Sequence, residues 1–135
     1  MEEYLYKDLT SIIIKAFYKV YNTLGYGFLE KVYENAMRVE IMKSGLNVDQ
    51  QKNIKVYYES EQVGDYYADL LVNDLVIIEL KAADAICEEH ESQLLNYLKA
   101  ADIEVGLLLN FGKKAEIKSK IFLNEHKKIN QRKSA

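Results

Sequence analysis

The first third of the chain carries the pattern of two amphipathic helices. Apolar residues recur at spacings of three and four from residue 4 to residue 24, which is typical of a helix with one apolar face. Glycines at positions 25 and 27 interrupt this pattern, and a second helix is predicted after them, with Gly45 just beyond its end. The apolar face predicted for the first helix comprises Leu5, Leu9, Ile12, Ile13, Ala16, Phe17, Val20, Tyr21 and Leu24. The face predicted for the second helix comprises Leu29, Val32, Tyr33, Ala36, Met37 and Ile41.

The period then changes from helical to strand-like. Residues 54–58 alternate, residues 60–62 form a predicted turn, and residues 63–72 and 75–82 indicate two strands joined around Asn73 and Asp74. Both faces of the last two strands are apolar, so we expect them at the centre of a sheet that is covered on both sides. One face is predicted to hold Ala68, Leu70, Val72, Val76, Ile78 and Leu80, and the other Tyr67, Leu71 and Ile77.

A third helix and a further strand complete the pattern. Asp84, Glu88, Glu89 and Glu91 favour a helix start, because carboxylates stabilise the N-terminal end of a helix, and this helix is predicted to run to about residue 101. Residues 104–110 form a short apolar strand, whereas residues 117–123 fit either a last strand or the start of a helix. The order ααβββαβ predicts an α/β fold with a mixed sheet flanked by helices.

Length and composition indicate one compact domain in a reducing compartment. The chain has 135 residues, and we expect a single domain over residues 4–126 with a frayed basic tail over 127–135. Its one cysteine, Cys87, has no internal disulfide partner, its N-terminus does not resemble a secretory signal, and its apolar segments are too short for a membrane span. A cytoplasmic location is therefore expected.

The charge is unevenly distributed along the chain. Residues 113–135 carry eight Lys and Arg against two Glu, a net charge of +6, so the formal total of −3 leaves −9 for residues 1–112. An acidic body with a basic end favours a metal site together with an edge that attracts phosphate. A solvated, charged C-terminus without a specific role explains the same distribution.

Asp69, Glu79 and Lys81 are the polar residues that interrupt the apolar strands. Glu79 and Lys81 are two positions apart, so their side chains leave the same face of the strand. Ionised groups in a central strand are costly unless they are paired or bind a metal. Two carboxylates and a lysine suit Mg²⁺ or Mn²⁺, whereas a buried pair of Glu79 and Lys81 with Asp69 exposed at a strand end is the structural alternative.

Asp69 joins this group only if the connecting loop has the right length. Side chains directly opposite across a hairpin share a face. A three-residue loop of Asn73, Asp74 and Leu75 places Asp69 opposite Glu79, whereas a two-residue loop pairs Asp69 with Ile78 and turns it to the other face. A metal site therefore requires the three-residue loop or an equivalent bulge.

The ordered set of motifs resembles a known family. Asp69 followed by Glu79, Leu80 and Lys81 resembles the D…ExK core of the PD-(D/E)XK nuclease superfamily, which has a restriction-endonuclease-like fold, although Ala68 replaces the proline of the motif. The segment from residue 27 to residue 33 (GFLEKVY) resembles the signature of the GxxExxY branch. Residues 64–70, 93–98 and 105–112 also resemble that branch, so the likeness covers residues 10–121.

The resemblance implies a role for each matching residue. Asp69 and Glu79 are implied as metal-binding carboxylates, with the backbone carbonyl of Leu80 as a further ligand and Lys81 as the catalytic lysine. Glu30 matches the acidic residue that many superfamily members bring to the same metal from a preceding helix. Gln93 and Tyr97 match a Q-x-x-x-Y motif, and their i, i+4 spacing lets both face the site.

The implied function is a Mg²⁺- or Mn²⁺-dependent nuclease acting on nucleic acid, with DNA favoured over RNA and the basic tail contacting phosphates. The alternatives are a catalytically inactive module of the same fold that binds nucleic acid, and a protein-interaction subunit. A second copy of the chain or another protein is the expected source of specificity. The tyrosine pairs 57–58 and 66–67 fit either stacking on bases or ordinary strand positions.

Overall fold

The computed structural model describes residues 5–128, and all five strands form one mixed sheet. Its strands lie in the order β1-β2-β3-β4-β5; β3 and β4 are parallel, and the other neighbouring pairs are antiparallel. The elements are α1 (Lys7–Leu24), α2 (Glu30–Lys43), β1 (Val48–Tyr58), β2 (Glu61–Val72), β3 (Val76–Lys81), α3 (Glu88–Ala100), β4 (Val105–Phe111), β5 (Ala115–Ile121) and a 3-10 turn (Asn124–His126).

The predicted mixed sheet with flanking helices is confirmed, and it has one strand more than the predicted order. The alternatives for residues 117–123 resolve in favour of a strand, because β5 returns antiparallel to β4. The third helix begins at Glu88, so Asp84 lies in the preceding loop rather than in the helix. The first helix begins at Lys7, and its predicted start at residue 4 lies outside the described residues.

The helices cover both faces of the sheet, as the apolar central strands require. One core cluster joins α1 and α2 to Leu70, Ile78 and Leu109, and the other joins α3 to Leu71 and Ile77. Three residues predicted for the helical apolar faces are wrong, because Ile12, Leu29 and Val32 are exposed. Leu29 is 82% exposed since it is the N-cap of α2, with extended backbone outside the helical turn.

The alternation of β2 is interrupted at Asp69. Ala68 and Leu71 pack in the same cluster under α3 although they are three positions apart, so the prediction that Ala68 shares a face with Leu70 is wrong. Tyr67, predicted for an apolar face, is 52% exposed. Opposite Asp69 on β1, Gln51 adopts a left-handed backbone with φ of 53°. This local change in both strands reverses the side-chain alternation at the position of the carboxylate.

Tight turns set the register of the two hairpins that contain β2, which pair β2 with β1 and with β3. Val72 pairs with Val76, which leaves the three-residue loop of Asn73, Asp74 and Leu75. At the other end of β2, Glu59 and Ser60 both have positive φ, so the turn lies just before the predicted residues 60–62. Positive φ at both central positions matches the right-handed twist of the flanking strands.

A close approach of α3 to the sheet fixes the height of that helix. A Cβ at Gly106 of β4 would lie 2.6 Å from the Cδ1 atom of Leu94, so a larger residue here would require the Leu94 side chain to shift. Lys127 contacts the segment that follows α3, because its Nζ donates to the carbonyls of Ala101 and Ile103 at 2.8 Å each. Of the tail predicted over 127–135, residues 129–135 lie outside the described residues. Within residues 5–128, no helix is long and apolar enough to cross a membrane.

Candidate active site

Asp69 and Glu79 meet where the backbone pairing of β2 and β3 stops. The last backbone pair on this side is Leu70 with Ile78. Beyond it, the Asp69 N–H donates to Glu79 Oε2 at 2.8 Å, and the Leu80 N–H donates to Asp69 Oδ2 at 2.8 Å. The carboxylates thus accept amide hydrogens beyond the end of the ladder. Of the two loop lengths that the sequence left open, the structure has the three-residue loop, and the two acids converge as a metal site requires.

Burial and proximity make both carboxyl groups weak acids. Glu79 is 5% exposed, and burial together with the charge of Asp69 raises its pKa to about 8. Burial also raises the pKa of Asp69, with further contributions from the charges of Glu34 and Glu30, although the Leu80 N–H and Gln51 act in the opposite direction. Two carboxyls that resist ionisation together hold a proton between them or attract a cation.

Lys81 lies on the same face as Glu79, two positions further along β3. Its positive charge lowers the pKa of Glu79, in opposition to the larger effects of burial and Asp69. None of the ion pairs found among the described residues joins Lys81 to Glu79. The structural alternative of a closed Lys81–Glu79 pair is therefore not formed, and the ammonium group is partly exposed beside the acids.

Helix α3 brings Gln93 and Tyr97 to the carboxylates. Gln93 Nε2 donates to the Tyr97 hydroxyl at 2.8 Å, which confirms that the two share a face of the helix. Burial raises the pKa of Tyr97, and the charges of Glu79 and Asp69 raise it further. The hydroxyl therefore keeps its proton and remains a hydrogen-bond donor near the two acids.

The segment from Gly27 to Tyr33 builds the start of α2. Gly27 has φ of 110°, a backbone conformation that favours glycine. The buried Tyr33 hydroxyl donates to the Gly25 carbonyl at 2.7 Å and accepts from the Phe28 N–H at 3.1 Å. Its ring stacks on Phe111 of β4 at 4.2 Å between centroids. Tyr33 thereby fixes the loop that leads into Glu30.

Glu30 occupies the first position of α2 and is exposed. Its charge raises the pKa of both Asp69 and Glu79, which places it in the same electrostatic environment. Within residues 5–128, however, no set of three or more His, Cys, Asp or Glu side chains lies close enough together to hold a metal ion. The structure thus brings Asp69 and Glu79 together and leaves Glu30 beside them.

Two residues near Asp69 were not predicted from the sequence. Glu34 is 4% exposed and accepts hydrogen bonds from Lys31 at 3.0 Å, Gln50 at 2.7 Å and Gln51 at 2.9 Å. Gln51 Nε2 also lies 3.4 Å from Asp69 Oδ1. Glu34 could have been noticed in the sequence because it is an acidic residue placed among the buried positions of α2. Nothing in the sequence marks Gln51, because its role depends on the reversed alternation of β1.

A buried amide holds the loop that follows Lys81. Asn110 is fully buried opposite Lys81, where its side chain accepts from the Ala83 N–H and donates to the Ala83 carbonyl, both at 2.9 Å. Glu116 Oε1 accepts from Asn110 Nδ2 at 3.0 Å and from the Ile86 N–H at 3.1 Å. These contacts connect the end of β3 to the start of α3, and hence Lys81 to Gln93 and Tyr97.

The donor set fits Mg²⁺ or Mn²⁺ by its chemistry. Mg²⁺ takes oxygen ligands and is commonly held by one or two carboxylates together with waters and phosphate oxygens. Asp69 and Glu79 supply two carboxylates that are fixed by backbone amides and that resist joint ionisation in the absence of a cation. The two acids are thus sufficient for an ion that completes its coordination with water and substrate.

Comparison with protein families agrees with this geometry. A family model described as the PD-(D/E)XK nuclease superfamily matches residues 7–121, which include all the helices and strands named above except the terminal 3-10 turn. No curated protein and no solved structure gives a significant match. Asp69 and Glu79 of the motif meet where the backbone pairing of β2 and β3 stops, and Lys81 lies at the end of β3. The chain therefore belongs to the PD-(D/E)XK nuclease superfamily.

Proposed function

We propose that this chain is a Mg²⁺- or Mn²⁺-dependent nuclease of the GxxExxY branch, which hydrolyses phosphodiester bonds in nucleic acid. The observation that carries the proposal is the pair of buried carboxylates, Asp69 and Glu79, each fixed by a backbone amide at 2.8 Å, with Lys81 beside them. A purely structural role does not explain two mutually repelling acids in an otherwise apolar part of the sheet. Nucleic acid, with DNA favoured over RNA, and a cytoplasmic location belong to the same proposal.

In this proposal Asp69 and Glu79 hold the metal ion, and Glu30 and the Leu80 carbonyl are further ligands. When bound, such an ion activates water and stabilises negative charge on the phosphate. The hydrogen bonds donated by the backbone N–H groups of Asp69 and Leu80 hold one oxygen of each acid, which orients the carboxylates before substrate arrives. Glu34 and Gln51 act as positioning residues, because Gln51 connects the buried Glu34 to Asp69.

Lys81, Gln93 and Tyr97 supply the remaining chemistry. The Lys81 ammonium stabilises the negative charge that develops on the phosphate oxygens, since a fixed cation in a partly desolvated site acts strongly on such charge. The Tyr97 hydroxyl accepts its hydrogen bond from Gln93, so its own hydrogen is available to a phosphate oxygen. The elevated pKa of Tyr97 favours this role as a donor at neutral pH.

A catalytically inactive module that binds nucleic acid or another protein is the second candidate. The observation that favours it is the separation of Glu30 from the two acids, since no three-acid cluster forms among residues 5–128. The net charge of −9 over residues 1–112 also disfavours tight binding to duplex phosphate without metal or the basic end of the chain. Exposed Tyr26, Phe28 and Leu29 beside Glu30 offer an apolar surface to a second copy or another partner.

The decisive experiment is a metal-dependent cleavage assay. Labelled single-stranded, duplex, flapped and branched DNA, and RNA, are incubated with Mg²⁺ or Mn²⁺ and with wild-type, Glu79→Gln or Lys81→Met protein. Glu61→Gln, in the exposed start of β2, is the matched control. Cleavage that requires metal, disappears in both site variants and persists in the control supports the nuclease. Absence of cleavage together with absence of Mn²⁺ binding by calorimetry contradicts it and favours the inactive module.

A further inference from the structure

A cavity of about 380 Å³ adjoins the carboxylate site between the β1–β2 hairpin and α3. Tyr97 lines it and also interacts electrostatically with both acids, and Gln93, which donates to the Tyr97 hydroxyl, lines it as well, so the cavity adjoins the candidate active site through Tyr97. Its volume and its open mouth suit a planar group of the size of a nucleobase. The cavity is therefore the nearest place for a part of the substrate other than the phosphate.

Aromatic rings form one wall of this cavity. The rings of Tyr66 and Tyr97 lie 5.8 Å apart between centroids, with an angle of 41° between their planes. Tyr66 is 49% exposed, which leaves much of its surface available to a ligand. Every nucleobase has a π-face, so a half-exposed tyrosine beside a cleavage site provides a stacking surface that does not depend on base identity.

The polar groups of the cavity exclude phosphate and suit a base. Glu88 and Glu89, at the start of α3, place carboxylates in its lining, and these repel an anion but accept hydrogen bonds from amino groups of bases. Ser92 and Asn96 add a hydroxyl and an amide that donate and accept. Together these side chains fit an uncharged aromatic ring that carries hydrogen-bond donors at its edge.

We propose that this cavity is a nucleobase subsite, in which Tyr66 stacks on a base next to the scissile phosphate. The proposal rests on the proposed nuclease function and specifies its substrate as a single strand or an unpaired end. A base inside a duplex reaches such a cavity only after it leaves the stack. This requires unpairing and unstacking energy, whereas a base in a single strand is already unpaired. Stacking also compensates for the weak phosphate attraction of the acidic body.

The test measures base stacking separately from cleavage. Single-stranded and duplex DNA of about 12 nucleotides, with 2-aminopurine at successive positions, is titrated with protein in Ca²⁺, followed by fluorescence and anisotropy. The protein forms are the wild type, Tyr66→Ala, Tyr66→Phe and, as the matched control, Tyr67→Ala. Tyr67 is the neighbouring residue, 52% exposed, and does not line the cavity. Thermal unfolding checks that each variant is folded.

We expect the single strand to bind with quenching at one or two positions. Tyr66→Ala weakens this binding about tenfold and removes the quenching, whereas Tyr66→Phe and Tyr67→Ala retain both. Equal affinity of the wild type and Tyr66→Ala for the single strand overturns the inference, as does a preference for duplex. Equal affinity for the free 2-aminopurine nucleoside and for the strand also overturns the inference, because the cavity then binds a free nucleoside rather than a base within a strand.

The two proposals fail in different ways. Metal-dependent cleavage that is equal on single-stranded and duplex DNA, and unchanged in Tyr66→Ala, overturns the base subsite and leaves the nuclease standing. Quenching that depends on Tyr66, without cleavage of any substrate in Mg²⁺ or Mn²⁺ and without Mn²⁺ binding by calorimetry, supports the base subsite and contradicts the nuclease. Each result therefore identifies which of the two statements is wrong.

Discussion

The Glu79 carboxylate accepts the backbone N–H of Asp69, and the Asp69 carboxylate accepts the N–H of Leu80, the residue after Glu79. This reciprocal arrangement fixes one oxygen of each acid without the use of a cationic side chain. It also places both carboxylates where burial raises their pKa, and the charge of Asp69 raises the pKa of Glu79 further. The geometry that prepares a cation site is therefore unfavourable for the ionised, metal-free protein.

The first prediction concerns the pH dependence of stability without metal. The folded pKa of Glu79 is about 8, against 4.5 for the ordinary side chain, so the folded state binds more protons than the unfolded state between these values. The free energy of unfolding must then fall as pH rises through this window, by an amount on the order of 5 kcal/mol. Asp69, Glu30 and Tyr97 interact electrostatically with the Glu79 carboxyl, and the positive charge of Lys81 opposes part of the rise in its pKa. Urea unfolding in EDTA at several pH values measures the slope.

Glu79→Gln is the informative variant for this prediction. The amide oxygen of glutamine still accepts the Asp69 N–H, but the group does not titrate. We expect the variant to lose most of the slope and to exceed the wild type in stability at about pH 8. Glu61→Gln should keep the wild-type slope. A wild-type profile that is flat from about pH 5 to pH 8 would show that the two acids do not interact as the structure indicates.

The second prediction is that Mn²⁺ stabilises the protein more at high pH than at low pH. Metal binding requires ionised carboxylates, and protonated Glu79 competes with the ion below its pKa of about 8. At a free metal concentration about 100 times the Kd, the stabilisation is about 2.7 kcal/mol. Calorimetry should show loss of binding in Asp69→Asn and Glu79→Gln. A smaller, separate loss in Glu30→Gln would support Glu30 as a further ligand, and unchanged affinity would exclude it.

The sequence carried part of the central pair and little of its surroundings. Alternation placed Glu79 and Lys81 on one face, whereas loop parity only stated the condition, a three-residue turn, under which Asp69 lies opposite Glu79, and the structure meets that condition. The same alternation failed at Ala68, because it assumed regular strands, whereas Gln51 adopts a left-handed backbone opposite Asp69. Glutamine carries no preference for that conformation, so neither the reversal nor the Gln51–Glu34 contact was predictable from residue type.

Leu29 and Asn110 show a related limit. Spacing predicted that Leu29 is buried, but burial depends on whether the residue lies within the helix or at its N-cap, and boundaries are poorly specified by pattern. Asn110 sits in an apolar strand like Glu79, yet its role as the anchor of Ala83 arises from the neighbouring strand and loop. Tertiary partners decide such roles, and they are far apart in sequence.

The third prediction concerns Asn110. Asn110→Leu retains the approximate volume but leaves the N–H and carbonyl of Ala83, both now bonded at 2.9 Å, without partners. We expect a loss of about 2–4 kcal/mol in the free energy of unfolding, measured with urea, together with reduced cleavage because the loop after Lys81 is released. Ser119→Ala, at an exposed position of β5, should change stability by less than about 0.5 kcal/mol.

A double-mutant cycle with Glu116→Ala tests whether Asn110 acts through the same hydrogen-bond network. Glu116 Oε1 accepts from both Asn110 and Ile86, so the two variants should not be additive. We expect an interaction energy of about 0.5–3 kcal/mol in the unfolding measurements. Additive losses would mean that the two side chains stabilise the loop independently and do not jointly position Lys81 relative to α3.

The fourth prediction concerns the contact of Tyr33 with the loop before Glu30. Tyr33→Phe keeps the stacking on Phe111 but removes the hydroxyl that bonds the Gly25 carbonyl and the Phe28 N–H. The loss should be about 1–2 kcal/mol in global stability, so amide hydrogen exchange at Leu108 in β4 should accelerate by no more than this loss, whereas Phe28, whose N–H also loses its acceptor, should accelerate more. Tyr18→Phe, at an exposed position of α1, is the control and should leave both amides unchanged. If Phe28 exchange is unaffected in Tyr33→Phe, the hydroxyl does not hold this loop, and Tyr33 stabilises the start of α2 through its ring alone.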